Sequence, residues 1–128
     1  MPVDLYLFPG VSRIPALRQV LLSRDLLVGY ICKPSDCEHA ATTVTELTAH
    51  AEANGYAVLC VIVEHDSSLP PLQRPGFVSL IESLRVAREV VGVIIPNARH
   101  LSTEHMTRDA MKSLIEATGT WLLPMYQA

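Results

Sequence analysis

Three short, continuous apolar runs constrain the fold of this chain more than any other feature of its sequence. They span residues 26–32, 57–63 and 90–95 and are rich in β-branched side chains. Runs of this kind are typical of strands that are covered on both faces, as in a parallel sheet. A fourth run, at residues 120–125, contains Pro124. Because proline cannot donate to a ladder, we expect this strand to lie at an edge of the sheet or to end there.

Helical patterns occupy the segments between these runs. Apolar residues recur at helical spacing over residues 38–53 and 75–88. A third helix is predicted to begin after Ser102 or Thr103, to stop at Gly119, and to pack four residues inward: Met106, Ala110, Leu114 and Ile115. Such alternation implies parallel strands joined by right-handed crossovers. The sequence therefore predicts an α/β fold, a three-layer sandwich with a mostly parallel sheet of four to five strands.

The length of 128 residues is that of one ordinary compact domain. Residues 26–128 are predicted to form the α/β domain, preceded by a βα prelude at residues 1–25. Within the prelude, residues 3–8 could form a strand and residues 12–23 a helix. The prelude is either an integral βα unit or an appendage used for association.

Composition excludes several functional classes. A hydrophobic content of 49% argues against a disordered chain. The net charge of -3 provides no overall electrostatic attraction for nucleic acid. No apolar run reaches the roughly 18 to 20 residues of a membrane span. Three cysteines, an odd count, indicate free thiols in a reducing compartment, so we expect a cytoplasmic protein. Cys32, Cys37 and His39 lack the further pair that a tetrahedral metal site needs, and we predict neither a metal nor a cofactor.

Ligands of an open α/β sheet meet the loops at the carboxyl ends of its strands. The first such loop carries Lys33, Ser35 and Asp36 at the mouth of a helix. Ser35 could be a nucleophile or an anion ligand, because unpaired N–H groups and the helix dipole favour negative charge there. Its alternative role is that of a helix N-cap, for which serine is among the preferred residues.

The second and third loops carry further titratable groups. His65 and Asp66 could form part of an acid–base pair, or simply belong to a solvated loop. Arg99, beside His100, is either an oxyanion or phosphate ligand or a surface residue that flanks a helix. The candidate pocket predicted at this edge comprises Lys33, Asp36, His65, Asp66, Arg74 and His100.

Three segments resemble those of a known family. Residues 29–35, Gly-Tyr-Ile-Cys-Lys-Pro-Ser, look like the Tyr-x-Arg-x-Ser segment that opens the catalytic domain of resolvase/invertase-type serine recombinases. Residues 73–77, Gln-Arg-Pro-Gly-Phe, are similar to its Asp-Arg-Pro-Gly-Leu helix start, and residues 97–102 occupy the place of its Leu-Asp-Arg-Leu-x-Arg segment. The resemblance covers about residues 27–125 and implies a resolvase-like fold. In that family a serine attacks a DNA phosphodiester while several arginines neutralise the phosphate.

The same comparison implies a degenerate site. By spacing from the tyrosine, the first arginine of the family falls on Cys32 and its nucleophile falls on Pro34, with Ser35 one place late. In the third segment Arg99 alone matches an arginine. Two more charged positions of the family hold Ala98 and Ser102.

The leading hypothesis is therefore a non-catalytic, resolvase-like regulatory or protein-interaction module that forms a homo-oligomer and binds a protein partner. We expect little or no DNA binding, since the chain is acidic and ends at Ala128 without the long helix and helix-turn-helix of full recombinases. The first alternative is a residual serine recombinase, with Ser35 as nucleophile, Arg99 as phosphate ligand, and His65 or His100 assisting proton transfer. The second is a small-ligand sensor that uses the crevice at the strand ends. Met106 and Met111 could serve an adaptable contact surface for association.

Overall fold

The computed structural model describes residues 4–7, 25–32, 37–65 and 69–125 of the chain. This part of the chain contains five strands and three α-helices. The strands are β1 (Asp4–Leu7), β2 (Asp25–Cys32), β3 (Tyr56–Glu64), β4 (Val90–Ile95) and β5 (Trp121–Pro124). The helices are α1 (Cys37–Ala53), α2 (Pro75–Val86) and α3 (His105–Glu116). Single 3-10 turns at Pro71–Gln73 and Ala98–His100 precede α2 and α3.

The strands form one sheet in the order β1-β3-β2-β4-β5. Strands β2 to β5 are parallel, and β1 pairs antiparallel with β3, with Asp4 opposite Val63 and Leu7 opposite Cys60. The predicted α/β fold with a mostly parallel sheet is confirmed. β5 is an edge strand that ends at Pro124, as the proline predicted. The helix predicted at residues 12–23 lies outside the described residues.

Helices cover both faces of the sheet, which gives the predicted three layers. On one face, α2 and α3 pack on side chains from the central strands; this cluster includes Tyr30, Ile62, Val93, Phe77, Leu80, Met111 and Ile115. On the other face, α1 packs against the sheet; this cluster includes Leu27, Ile31, Val58, Val61, Ile94, Leu47 and Ala51. The strands are continuous apolar runs because both of their faces are buried.

Local signals in the sequence place the helix ends. Pro75 occupies the first position of α2, where its missing N–H has no intrahelical partner to lose. Gly55 and Gly119 follow α1 and α3 with positive φ angles of 85° and 88°, a conformation that glycine adopts without steric cost. No helix among the described residues is long and apolar enough to cross a membrane.

The inner face of α3 differs from the prediction. Met111 and Ile115 are fully buried, whereas Met106 is 78% exposed and Ala110 is also exposed. The prediction that Met106 and Ala110 pack inward is therefore wrong, and so is the assignment of Met111 to an exposed contact surface. Two apolar stripes lie side by side on this helix, and packing against the sheet buries the one that contains Met111 and Ile115.

A close approach of backbone and indole fixes the edge strand β5. Gly92 of β4 is paired in register with Trp121, and a Cβ atom at position 92 would come within 2.7 Å of the indole ring. The Tyr56 ring meets the same indole edge-on, with the ring centroids 5.7 Å apart. Glycine at position 92 therefore provides the space that the Trp121 side chain occupies.

Candidate functional site

The carboxyl ends of β2, β3 and β4 lie at one edge of the sheet, and the loops that were predicted to carry chemistry start there. Cys32 ends β2 opposite Glu64, which ends β3. Beyond them, the turn Ala98–His100 packs against the end of β2. We refer to this region as the strand-end edge.

Glu64 is the central group of the strand-end edge, and its side chain is only 3% exposed. Its carboxylate accepts hydrogen bonds from the Tyr30 hydroxyl at 2.8 Å and from the backbone N–H groups of Gly76 and Phe77, both at 2.9 Å. The first N–H groups of a helix have no intrahelical acceptor, and Pro75 has no N–H to offer. Glu64 therefore satisfies the first donors of α2 and places a negative charge at the positive end of its dipole.

Burial of the Tyr30 hydroxyl raises its pKa well above the usual value near 10, and the neighbouring Glu64 carboxylate raises it further. The Arg74 guanidinium acts in the opposite direction, although more weakly than burial. Tyr30 therefore stays protonated and serves as a hydrogen-bond donor at any physiological pH.

Arg74 lies in the core with only 1% of its surface exposed. Its Nε donates to the carbonyl oxygen of Leu69 at 2.8 Å, and one terminal nitrogen donates to the carbonyl oxygen of Leu101. The same nitrogen lies 3.8 Å from the Sδ atom of Met111. Arg74 thus fastens the loop before α2 to the loop before α3, and its guanidinium does not reach the surface of the strand-end edge.

His100 and Arg99 take different positions in the third loop. The Nδ1 atom of His100 accepts a hydrogen bond from the backbone N–H of Cys32 at 3.2 Å, so neutral His100 carries its proton on Nε2. Arg99 is exposed, and its backbone N–H donates to Oδ1 of Asn97 at 2.9 Å, which caps the short turn. His100 therefore anchors the third loop to β2, whereas Arg99 extends from it toward solvent.

Three residues of the predicted pocket lie among the described residues, and they have different surroundings. His100 contacts the end of β2, Arg74 contacts the carbonyl oxygens of two loops, and His65 is half-buried directly after β3. Four predicted residues lie outside the described residues: Lys33, Ser35, Asp36 and Asp66. In the described part of the chain, no group of three His, Cys, Asp or Glu side chains is placed to hold a metal ion.

Sequence reasoning used Tyr30 only as the tyrosine of the Tyr-x-Arg-x-Ser match and did not single out Glu64, although the two form the buried centre of this edge. A signal for Glu64 was present. Glu64 ends a buried strand, and residues 65–74 connect it to a helix start that is marked in the sequence by Pro75. The first N–H groups of any helix have no intrahelical acceptor, so a carboxylate can bind them. The fold brings Glu64 and these N–H groups together because α2 is the α-helix that follows β3 in the chain.

These observations define the class of protein. It is an α/β domain with four parallel strands, an antiparallel edge strand and an Arg-Pro-Gly helix start at the strand ends. Its fold is like that of the catalytic domains of serine recombinases. The C-terminal catalytic domain of ISC1926 TnpA, an IS607-like serine recombinase, is similar with a TM-score of 0.68 and 24% identity over 80% of this chain and 72% of that one. The N-terminal catalytic domain of TP901-1 integrase is similar with a TM-score of 0.68 and 15% identity over 78% and 77%.

No protein-family model matches the sequence, and no curated protein matches it either. The two structural similarities confirm, at the level of the fold, the resemblance carried by residues 27–125.

Proposed function

We propose that this chain is a non-catalytic domain with the serine recombinase fold that acts as a regulatory or protein-interaction module. The position of Arg74, the arginine of the Arg-Pro-Gly match, carries the proposal. Its guanidinium is buried and donates to the main-chain carbonyl oxygens of Leu69 and Leu101. Phosphoryl transfer depends on cationic groups that contact the reacting phosphate, and a guanidinium held in this way serves the fold instead.

The neighbouring positions support the same conclusion. Cys32 stands where the family has an arginine, and its N–H bonds to His100. Pro34 stands where the family has its nucleophile. Arg99 is the one family arginine of the third segment that this chain retains, and a single guanidinium leaves part of the charge that develops on a reacting phosphate without a cationic partner.

Association with other proteins is the positive part of the proposal. The domain acts as a homo-oligomer or with a protein partner in the cytoplasm, where its thiols stay reduced. Three exposed apolar side chains are the candidate contact groups, because each would remove apolar surface from water against a partner: Leu72, Val86 and Met106. The net charge of -3 gives no general attraction for DNA.

The decisive experiment is incubation of the purified chain with supercoiled DNA, followed by denaturing electrophoresis to detect covalent protein–DNA adducts. We expect no adduct from the wild-type chain or from Ser35→Ala. An adduct that forms with the wild type and disappears with Ser35→Ala would overturn the proposal in favour of a residual recombinase with Ser35 as nucleophile. Light scattering tests association, and a monomer at every concentration would refute self-association.

A further inference from the structure

A concave region lies at the edge of the sheet opposite to the strand-end edge, where the parallel strands begin. It is a cleft of about 430 Å³ between the end of α2 and the end of α3, with the starts of β4 and β5 as its floor. Pockets for small ligands usually range from about 300 to 1,000 Å³, so the volume suits a small organic molecule. We call this cavity the amino-edge cleft.

Two arginines form one wall of the amino-edge cleft. Arg85, in the last turn of α2, and Arg88, in the turn that follows, both line it and are both exposed. Neither guanidinium forms an ion pair or a hydrogen bond within the described residues. A cation near a helix C-terminus complements the helix dipole through its charge alone, and this leaves the guanidinium N–H donors available to a ligand.

Two threonine hydroxyls form the facing wall. Oγ1 of Thr118 donates to the carbonyl oxygen of Ile115 at 2.6 Å, and Oγ1 of Thr120 lies 3.1 Å from the same oxygen and 3.0 Å from Oγ1 of Thr118. Because the hydroxyl hydrogens are used within this group, the oxygens can offer only lone pairs to the cleft. This wall therefore accepts hydrogen bonds, while the arginine wall donates them.

Apolar groups complete the cavity. Val90, at the start of β4, and Leu114, on α3, line it between the two polar walls. A ligand that fills the cleft thus needs an anionic end for the arginines, hydroxyl or amino donors for the threonines, and some apolar surface in between.

We infer that the amino-edge cleft binds a small phosphate monoester of nucleotide size whose organic part carries hydrogen-bond donors. A phosphate monoester carries a charge of about -1.5 to -2 at neutral pH, which matches two guanidiniums. Guanidinium groups bind phosphate oxygens through paired, charge-assisted hydrogen bonds. The site is remote from the strand-end edge, so it stands independently of the proposed loss of recombinase chemistry.

The experiment is isothermal titration calorimetry of the whole chain with four probes: adenosine 5′-monophosphate, ribose 5-phosphate, adenosine and inorganic phosphate. We expect at least one of the two esters to bind at least tenfold more tightly than inorganic phosphate, and adenosine to bind more weakly than the esters. Arg85→Gln and Arg88→Gln should each weaken binding of that ester at least tenfold.

Arg108→Gln is the matched control, because it removes the same charge from the first turn of α3, at the far end of that helix. It should leave affinity unchanged. Amide NMR shifts on ester binding should cluster at residues 85–90 and 114–120. Failure of both esters to bind at millimolar concentration, equal weakening by all three arginine variants, or shifts confined to other residues would each overturn the inference.

Discussion

The Tyr30 hydroxyl donates to the Glu64 carboxylate at 2.8 Å, and this hydrogen bond joins two neighbouring parallel strands near their carboxyl ends. The same carboxylate holds the first turn of α2, so one buried charge connects β2, β3 and the helix that follows them. Burying a carboxylate is costly unless its oxygens are hydrogen-bonded, and here three donors satisfy them. The stability of the strand-end edge therefore depends on this one residue more than on any exposed group.

Glu64→Ala should lower the free energy of unfolding by about 3–5 kcal/mol, because it leaves three buried donors without an acceptor. Urea denaturation followed by circular dichroism measures the change. Glu82→Ala removes an exposed carboxylate from α2 and is the control, with an expected change within about 0.5 kcal/mol. A loss below about 1 kcal/mol for Glu64→Ala would mean that the carboxylate does not hold the helix.

Gly76→Ala should destabilise the protein, although replacing a helical glycine by alanine usually stabilises by up to about 1 kcal/mol. The added Cβ would lie 2.9 Å from Oε1 of Glu64, and the carboxylate cannot move away without losing its hydrogen bonds. Ser83→Ala, on the exposed face of the same helix, should stabilise slightly. Thermal unfolding of both variants checks the opposite signs, and a stabilised Gly76→Ala would contradict the packing.

Changing Arg74 to glutamine should lower the stability of the protein far more than changing Arg99 to glutamine. Arg74→Gln should cost about 3 kcal/mol of stability, since it leaves buried carbonyl oxygens of two loops without their charged donor. Arg99→Gln should change stability by no more than about 0.5 kcal/mol, because Arg99 is exposed. Chemical denaturation gives both values, and equal small effects would show that Arg74 does not fasten the loops.

Stability should fall as the pH rises above about 10, in part because of Tyr30. Burial raises the pKa of the Tyr30 hydroxyl above its value in the unfolded chain. Below the pKa that Tyr30 has in the unfolded chain, the hydroxyl is protonated in both states, and its full contribution to stability is present. Above that pKa, the unfolded chain loses the proton first, so the free energy of unfolding falls. Tyr30→Phe should show a shallower fall between about pH 9.5 and 11, and an unchanged slope would exclude this cause.

Cys60 should react slowly with iodoacetamide, because burial raises the pKa of its thiol to about 11. In a Cys32→Ser, Cys37→Ser background, the alkylation rate should keep rising with pH up to about 10 without levelling off. The same chain unfolded in urea should show a midpoint near the usual thiol pKa of about 8.5. Equal midpoints in the folded and unfolded chains would contradict the burial of this thiol.

Much of the fold was predictable because its signals are local. The apolar runs of β2, β3 and β4, Pro75 at the start of α2, and the glycines after α1 and α3 each act within a few residues of their own position. The antiparallel pairing of β1 with β3 was not predictable, since it joins segments that are far apart in the chain. The buried face of α3 was predicted wrongly for the same reason. Contacts with the sheet and with Arg74, which are distant in sequence, determine which of its two apolar stripes is buried.

The candidate site was less predictable than the fold. Sequence alone placed Arg74 in a pocket, because a charged residue at a strand end is usually solvated or functional. Its burial depends on carbonyl oxygens that two separate loops direct toward it, and neither loop carries a sequence pattern for that geometry. Glu64 was overlooked because its donors include backbone N–H groups, for which Pro75 at the start of α2 is only an indirect signal in the sequence.

Trp121 gives the protein an intrinsic spectroscopic reporter. It is the single tryptophan of the chain, and its indole rests on the bare backbone of Gly92 and against the ring of Tyr56. The Trp121 side chain is 36% exposed in the folded chain, and detachment of β5 from β4 exposes the rest of the indole to water even when the other strands stay paired. Tryptophan emission therefore follows the docking of this last strand, while far-ultraviolet circular dichroism follows the whole domain, and the two signals together distinguish fraying of the edge from global unfolding.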